Sequence, residues 1–168
     1  MRRRPITVLT PIVKETMRRG IVRSADVGSQ LKTLIDAFFG AVSFERGQVP
    51  AYARIRDLFI DDGTLIRSSS ACPEISSVDA FIAARQRLVD SGALTSFEEV
   101  ETSAITEVFG NVAHRFTTYQ KRGTLGEEQF AGRGVISTQF ICTPTGWKLS
   151  SMAWDDERQG LVIPDRYR

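Results

Sequence analysis

The stretch GRGVISTQFICTPTGWKLSSMAW, residues 132–154, decides the fold class. Its segment VISTQFIC alternates apolar and polar side chains, the pattern of a strand with one covered face. The segment TPTG supplies turn-forming residues, and WKLSSMAW then alternates again. The stretch therefore predicts an antiparallel hairpin, one face of which needs apolar cover from elsewhere in the chain.

Two more alternating runs precede this hairpin, at residues 100–108 and 112–119, with a turn from Phe109 to Asn111 between them. The segment KRGTLGEEQFAG that follows is polar and rich in glycine, which indicates a connection. The second half of the chain is therefore predicted to be a four-stranded antiparallel meander.

Three helices are predicted before the meander. Apolar residues recur at helical spacing between Leu31 and Val42, behind possible caps at Asp26 or Ser29. Pro50 suits the first turn of a short second helix. Ser77 is a cap for a third helix that ends before Gly92. Helices followed by antiparallel strands indicate an α+β fold.

Composition and length bound the remaining possibilities. The chain has 168 residues, of which 42% are hydrophobic and 25% charged, as in a soluble globular domain of ordinary size. No apolar run approaches the roughly 20 residues that span a membrane. The cysteines Cys72 and Cys142 lie far apart, without disulfide or metal spacing. We therefore predict a cytoplasmic protein that contacts no membrane.

The amino-terminal segment carries most of the positive charge. Residues 1–24 hold a net charge of about +6, whereas the rest of the chain holds about −4. A short arginine-rich tail is weak support for nucleic-acid binding, and we predict none. We interpret residues 1–27 as a flexible basic leader. The alternatives are a translation start at Met17 and an organelle targeting segment, which Pro5 and Pro11 disfavour.

Three parts of the sequence together resemble the nuclear transport factor 2-like superfamily, which includes SnoaL-like cyclases and ketosteroid isomerase. They are LIDAFFGAV with YARIRDLF and DDGTLI, then SVDAFIAARQRLVDSG, and finally the hairpin at residues 132–154. The resemblance implies three helices packed in the concave face of a strongly curved antiparallel sheet, an α+β cone or barrel. It also implies an apolar cavity and homodimers formed through the convex face. The cone would span residues 28–160, with a tail at 161–168.

His114 and Asp155 are the candidate catalytic residues. His114 is the only histidine, and it alternates in phase with Val112 and Phe116, which predicts a concave position. Asp155 alternates in phase with Trp147 and follows the last strand, where a carboxylate near an apolar pocket would have a raised pKa. Each has a structural alternative: a core histidine held by one hydrogen bond, and a rim carboxylate paired with Arg158.

Large apolar side chains at core spacing are predicted to line the cavity. They are Phe38, Tyr52, Phe59, Phe116, Phe140, Met152 and Trp154. Arg115 and Tyr119 fall on the opposite parity of their strand, which predicts a convex position at a dimer interface. Asp61 and Asp62 are interpreted as part of an aspartate-glycine turn.

The function expected from these features is binding of a small apolar organic molecule. Any catalysis would be isomerisation, dehydration or cyclisation by proton transfer, without a cofactor or metal. Two alternatives stay open: a non-catalytic dimeric scaffold, and the small subunit of an aromatic-ring dioxygenase. A solvent-open cavity of a few hundred Å³ with His114 on its wall would favour ligand binding. A cone plugged by Phe38, Phe116 and Trp154 would favour the scaffold.

Overall fold

A computed structural model describes residues 24–69 and 71–168. Most of the predicted leader lies outside these residues. The helices, in chain order, are α1 (Ser24–Val42), α2 (Ile55–Leu58) and α3 (Val78–Asp90), with single-turn 3-10 helices at Tyr52–Arg54 and Asp165–Tyr167. The strands are β1 (Phe59–Arg67), β2 (Glu74–Ser77), β3 (Leu94–Phe109), β4 (Val112–Leu125), β5 (Glu128–Thr143) and β6 (Gly146–Asp156).

The six strands form one open sheet in the order β2-β1-β6-β5-β4-β3. The meander from β3 to β6 is antiparallel, as predicted, but β1 runs parallel to β6, so the sheet is mixed. The prediction of an α+β fold is confirmed. The alternative of a barrel is wrong, because β2 and β3 are edges of the described sheet and do not pair with each other.

The predicted connection KRGTLGEEQFAG is mostly strand. It forms the end of β4 and the start of β5, joined at Gly126, whose φ of 63° suits a tight turn. The predicted aspartate-glycine turn is also part of a strand, since β1 continues through Asp61 and Asp62 with a register irregularity before Thr64. Gly126 thus marks the end of β4, whereas Asp61 and Asp62 belong to an irregular part of β1 and not to its end.

The predicted helices are present with altered bounds. α1 begins at Ser24, before the predicted caps, and Val27 at its start is already buried. α2 has only four residues, because Phe59 enters β1. The predicted cap of α3 is confirmed: the Ser77 hydroxyl accepts a hydrogen bond of 3.2 Å from the backbone N–H of Ala80. None of the described helices is long and apolar enough to cross a membrane.

The helices cover one face of the sheet, which we call the inner face. Leu31 and Ile35 of α1 are buried in one core with Phe140 and Leu149, which are paired on β5 and β6. Directly paired residues of neighbouring strands share a face, and faces alternate along each strand. The register therefore assigns every strand residue to the inner face or to the opposite, outer face.

The carboxy-terminal segment packs on the outer face. The Tyr167 ring lies 4.7 Å from the Phe116 ring, centroid to centroid, and the Thr118 hydroxyl donates a hydrogen bond of 2.5 Å to the Tyr167 carbonyl. Ile163 is also buried. The predicted tail at 161–168 is thus in contact with the domain, and it covers the middle of β4 from outside.

Candidate functional site

A cavity of about 100 Å³ lies between α1, α3 and the inner face. Aromatic rings dominate its wall: Phe81 meets Trp154 edge-on at 6.2 Å and lies 6.3 Å from Phe38. Edge-to-face packing of this kind fixes ring positions as well as burying area. The apolar lining comprises Phe38, Phe81, Phe97, Phe130, Ile136, Met152 and Trp154. We call this space the inner cavity.

The predicted pocket residues divide into three groups. Phe38, Met152 and Trp154 line the inner cavity. Tyr52, Phe59 and Phe140 are buried in the core and do not line it. Phe116 pairs with Ser137 on the outer face and packs against Tyr167, so its assignment to the cavity is wrong. Phe81, Phe97 and Phe130 were not predicted to line the cavity, because their spacing in the sequence is the same as that of residues that pack elsewhere in the core.

Three ionisable side chains share the inner cavity with these rings: Arg85, Glu99 and Lys121. Glu99 and Lys121 are direct partners across β3 and β4, so their side chains lie next to each other on the inner face. Arg85 reaches the cavity from α3, with its guanidinium 5.4 Å from the Phe81 centroid and 5.6 Å from that of Phe97. A carboxyl group and two cations therefore meet in a mainly aromatic space.

Lys121 is held by a hydrogen-bonded carboxylate. Asp156 Oδ1 accepts bonds of 2.5 Å from both Lys121 Nζ and the Tyr119 hydroxyl. Burial alone would raise the pKa of Asp156, but the hydrogen bonds from Lys121 and Tyr119 outweigh it and hold that pKa below its ordinary value. Burial and the bond to Asp156 raise the pKa of Tyr119, so the phenol stays neutral and donates. The group keeps the Lys121 side chain in place.

This arrangement depends on a glycine. Gly134 pairs with both Tyr119 and Asp156, and a Cβ at that position would collide with the Tyr119 hydroxyl and the Asp155 carbonyl. The phenol therefore crosses β5 through the space that the missing side chain leaves.

We expect Gly134→Ala to lower the free energy of unfolding by about 1–3 kcal/mol, the cost of overpacking an interior contact. Urea denaturation would measure the change. Gly132→Ala is the matched control on the same strand and face, because a Cβ there meets only the flexible Lys121 side chain, at 3.3 Å. Equal effects of the two substitutions would contradict the assigned contact between Gly134 and Tyr119.

Glu99 differs from the other carboxylates of the site. Among the described residues its carboxyl group has no hydrogen bond or ion pair, whereas its backbone N–H donates to the Ser43 hydroxyl at 3.1 Å. Burial raises the pKa of Glu99 to about 7, although Lys121 and Arg85 act to lower it. A carboxyl group that is half ionised at neutral pH beside an apolar cavity can take up or release a proton.

His114 lies on the outer face, and its prediction as a cavity residue is wrong. It pairs with Gln139, its Nε2 lies 3.2 Å from the Ser137 hydroxyl, and its ring is 6.2 Å from that of Phe116. The error came from using Val112 and Phe116 to mark the inner face. The true inner residues of this part of β4 are Ala113, Arg115 and Thr117, and two of them are polar.

Asp155 also lies on the outer face, where it pairs with Val135 and accepts a bond of 2.5 Å from Arg158. Its prediction as an inner residue is wrong because β6 contains a bulge at Ser150. Leu149 pairs with Phe140 and Ser151 with Gln139, so the alternation shifts by one residue. The neighbouring carboxylate, Asp156, is the one that faces inward.

The same reversal applies to Arg115 and Tyr119, which were predicted on the convex side. Both lie on the inner face. Tyr119 is fully buried at Asp156, and Arg115 is buried against Glu101, with its Nε 2.9 Å from Glu101 Oε2. Arg115 is buried because Glu101 on the neighbouring strand pairs with it, and an alternation of apolar and polar residues does not reveal such a pair. The sequence pattern therefore favoured the wrong face.

Other hollows on the described surface are larger but shallow. One of them, of about 850 Å³, is an open groove between residues 43–48 and the ends of β3, β4 and β5. It lacks enclosing apolar walls, which small-molecule sites normally have. No group of three His, Cys, Asp or Glu side chains in residues 24–69 and 71–168 is placed to hold a metal ion. The inner cavity is therefore the candidate functional site.

Comparison with solved structures identifies the fold. An NTF2-like superfamily protein from Salmonella enterica aligns with a TM-score of 0.68 at 11% identity, over 84% of this chain and 99% of that one. A protein from Streptomyces avermitilis, named as a proposed dehydratase of the NTF2-like family, gives 0.60 at 17%, over 80% and 99%. One from Novosphingobium aromaticivorans, named as a proposed aromatic ring hydroxylase, gives 0.65 at 16%, over 84% and 93%.

These neighbours show that the chain has the nuclear transport factor 2-like fold, which confirms the resemblance in the sequence. No protein-family model matches the sequence, and the comparison with curated proteins finds no match. Identities of this size establish shape alone, since one fold hosts many activities. The chemistry has to be argued from the inner cavity.

Proposed function

We propose that this protein binds a small carbonyl compound in the inner cavity and moves a proton on it without a cofactor. The observation that carries the proposal is the Glu99 carboxyl group, which borders an aromatic cavity and has no polar partner among the described residues. A general base works best when its pKa is near the working pH. Glu99 meets that condition, and it replaces His114 in the role that the sequence had indicated.

The reaction would begin when the Glu99 carboxylate removes a proton from the carbon next to the carbonyl. The electron pair of that C–H bond would move into the enolate, and negative charge would gather on its oxygen. Lys121 supplies the stabilising charge, because its ammonium group has three N–H donors and the described contacts use one, on Asp156. Return of the proton at another carbon of a conjugated substrate gives isomerisation. In a β-hydroxy substrate the enolate would form the C=C bond as the C–O bond breaks, and the hydroxyl group would take the proton from Glu99 and leave as water, which gives dehydration.

The size of the cavity limits the substrate. About 100 Å³ is smaller than the few hundred Å³ expected from the sequence, and a cavity of about 150 Å³ is known to hold benzene. The substrate would therefore be compact, about the size of benzene or smaller, unless Arg85 moves aside. The dehydratase name of one structural neighbour agrees with this class of reaction.

Exchange of α-protons for deuterium tests the proposal directly. In D₂O, 2-butanone, cyclopentanone and 2-oxobutanoate would be followed by ¹H NMR with and without the protein. We expect at least one of them to exchange faster than in buffer of the same pH. Exchange at the buffer rate for every compound, together with no change of Trp154 or Phe81 resonances at high concentration, would contradict the proposal.

A non-catalytic scaffold is the second candidate function. The small cavity volume and the filling of its walls by Phe38 and Trp154 favour it. A scaffold, however, has no need for a half-buried carboxyl group beside two cations, because taking such charges out of water costs stability. The small-subunit alternative is supported by the hydroxylase name of one neighbour alone.

We also propose a homodimer through the outer face. Four apolar side chains there are partly or largely exposed at the end that the carboxy-terminal segment leaves open: Ile105, Phe109, Val112 and Ile141. Phe109 is 85% exposed, which is unusual for a phenylalanine on a strand unless another surface covers it.

Val112→Asp is expected to shift the protein from dimer to monomer, because it places a charge in the centre of the contact. Sedimentation velocity at several concentrations would measure the shift. Val49→Asp, at a still more exposed valine in the loop before α2, is the control and should leave the dimer intact. A monomer at all concentrations in the unsubstituted protein would contradict the proposed dimer.

A further inference from the structure

Arg85 is a cation of the candidate site that forms no close ion pair with an acid of the described chain. Among the described residues its guanidinium group makes no hydrogen bond and no ion pair, and its recorded contacts are the faces of Phe81 and Phe97. Several other arginines of the fold are paired with acids, for example Arg56 with Asp79 and Arg122 with Glu98. A half-buried guanidinium has five N–H donors, and aromatic stacking satisfies none of them.

The charges around Arg85 leave the inner cavity positive when Glu99 is protonated. Lys121 and Asp156 neutralise each other through a bond of 2.5 Å, and Arg85 remains. Helix α1 brings Lys32 and Asp36 to the groove on the other side of Glu99, but these two pair with each other at 2.6 Å and add no net charge. One unit of positive charge thus remains in an aromatic space, where charge interactions are stronger than in water.

This inference builds on the proposed function. We infer that the ligand of the inner cavity is a small monocarboxylate, and that Arg85 determines this specificity by binding the carboxylate through its guanidinium group. Guanidinium and carboxylate match as a two-bond pair, and Arg85 is already oriented by Phe81 and Phe97. The apolar end of the ligand then occupies the space against Trp154, with its carbonyl group toward Lys121. Among the described polar groups of the cavity wall, only Arg85 and Glu99 have no hydrogen-bond partner for their side chains. A bound carboxylate would be that partner for Arg85.

Crotonate and crotonamide are suitable probes, since they have the same shape and differ in charge. Ligand-observed NMR titration at pH 6.5 would give both dissociation constants. We expect crotonate to bind about ten-fold or more tightly than crotonamide, which is the equivalent of one charge-assisted hydrogen bond. The preference should disappear in Arg85→Gln and persist in part in Arg85→Lys. Arg87→Gln is the matched control, because Arg87 is exposed on the same helix and lines no part of the cavity.

The pH dependence gives a second readout. Glu99 ionises as pH rises through about 7, and its carboxylate then repels the bound anion and cancels the charge of Arg85. Crotonate affinity should therefore fall between pH 6 and pH 8, whereas crotonamide affinity should not. In Glu99→Gln the fall should be absent. Thermal unfolding of each variant would confirm that it is folded at the titration temperature.

The outcomes separate this inference from the proposed function. Equal binding of the two probes, or a crotonate preference that survives in Arg85→Gln, would overturn the assignment of Arg85 and leave proton transfer at Glu99 standing. Failure of both probes to bind would also overturn the assignment of Arg85. The role of Glu99 would then depend only on the α-proton exchange of a neutral ketone. Crotonate binding without any exchange activity would support Arg85 and count against Glu99 as a base.

Discussion

Replacing Glu99 with glutamine is expected to lower the rate of α-proton exchange by about 10²–10⁴-fold, the usual contribution of a positioned general base. The substitution keeps the size of the side chain and removes the group that accepts the proton. Because the carboxyl group has no hydrogen-bond partner among the described residues, the amide loses no existing contact. Exchange rates of the most active ketone, measured by ¹H NMR at pH 8, would give the ratio.

The neighbouring residue provides a strict control. Glu98 is adjacent in sequence but faces outward, where it forms an exposed ion pair with Arg122. Glu98→Gln removes the same charge from the same strand without touching the inner cavity, so it should leave the exchange rate nearly unchanged. Equal losses in the two variants would mean that net charge or strand stability matters, and Glu99 would no longer be assigned as the base.

The pH profile should identify the same residue. Glu99 is active as the carboxylate, and burial raises its pKa to about 7, so the rate should rise about ten-fold per pH unit below 7 and level off above it. Lys121 lowers the pKa of Glu99 in the intact site. Lys121→Met should therefore move the midpoint to higher pH and also lower the plateau. A midpoint near the ordinary value for glutamate would contradict a buried base.

The helices and strands of this fold could be predicted from sequence because each has an apolar periodicity of its own. Leu31 to Val42 repeats at helical spacing, and the runs in β3 to β6 alternate; the structure contains these elements. The parallel pairing of β1 with β6 could not be predicted in this way. It depends on where the chain places a short strand after α2, and no local pattern of Phe59 to Arg67 specifies its partner.

The candidate site was harder to predict, because it depends on which way each strand residue faces. Because of the bulge at Ser150, Asp156 and not Asp155 lies on the inner face, and nothing in the sequence SSMAW predicts a bulge. On β4, the inner face holds Arg115 and Thr117, which are buried only because Glu101 pairs with them. A rule that assigns apolar residues inward therefore placed His114 inside. Glu99 was not predicted as a site residue for a related reason. It lies in the acidic run EEVE, which is typical of a solvent-exposed strand.

Removal of the buried pair between Arg115 and Glu101 is expected to have the largest effect on stability. Arg115 Nη2 and Nε bond Glu101 at 2.5 and 2.9 Å, Thr117 donates to the same carboxylate at 3.1 Å, and Thr106 accepts from the guanidinium. The two side chains are 10% and 12% exposed. Arg115→Ala leaves a buried carboxylate without its partner, which costs about 3–5 kcal/mol. Urea denaturation monitored by circular dichroism would measure the loss.

Two further variants distinguish a buried pair from a generally important arginine. Arg122→Met removes the exposed partner of Glu98 on the same strand and should cost no more than about 1 kcal/mol. The double substitution Arg115→Met with Glu101→Leu removes both charges and should recover most of the stability lost in Arg115→Ala, because desolvation of an ion pair offsets much of its attraction. If the double variant is as unstable as Arg115→Ala, the stability lost in Arg115→Ala does not come from an unpaired carboxylate. The pair would then stabilise the fold through its packing and its hydrogen bonds to Thr106 and Thr117.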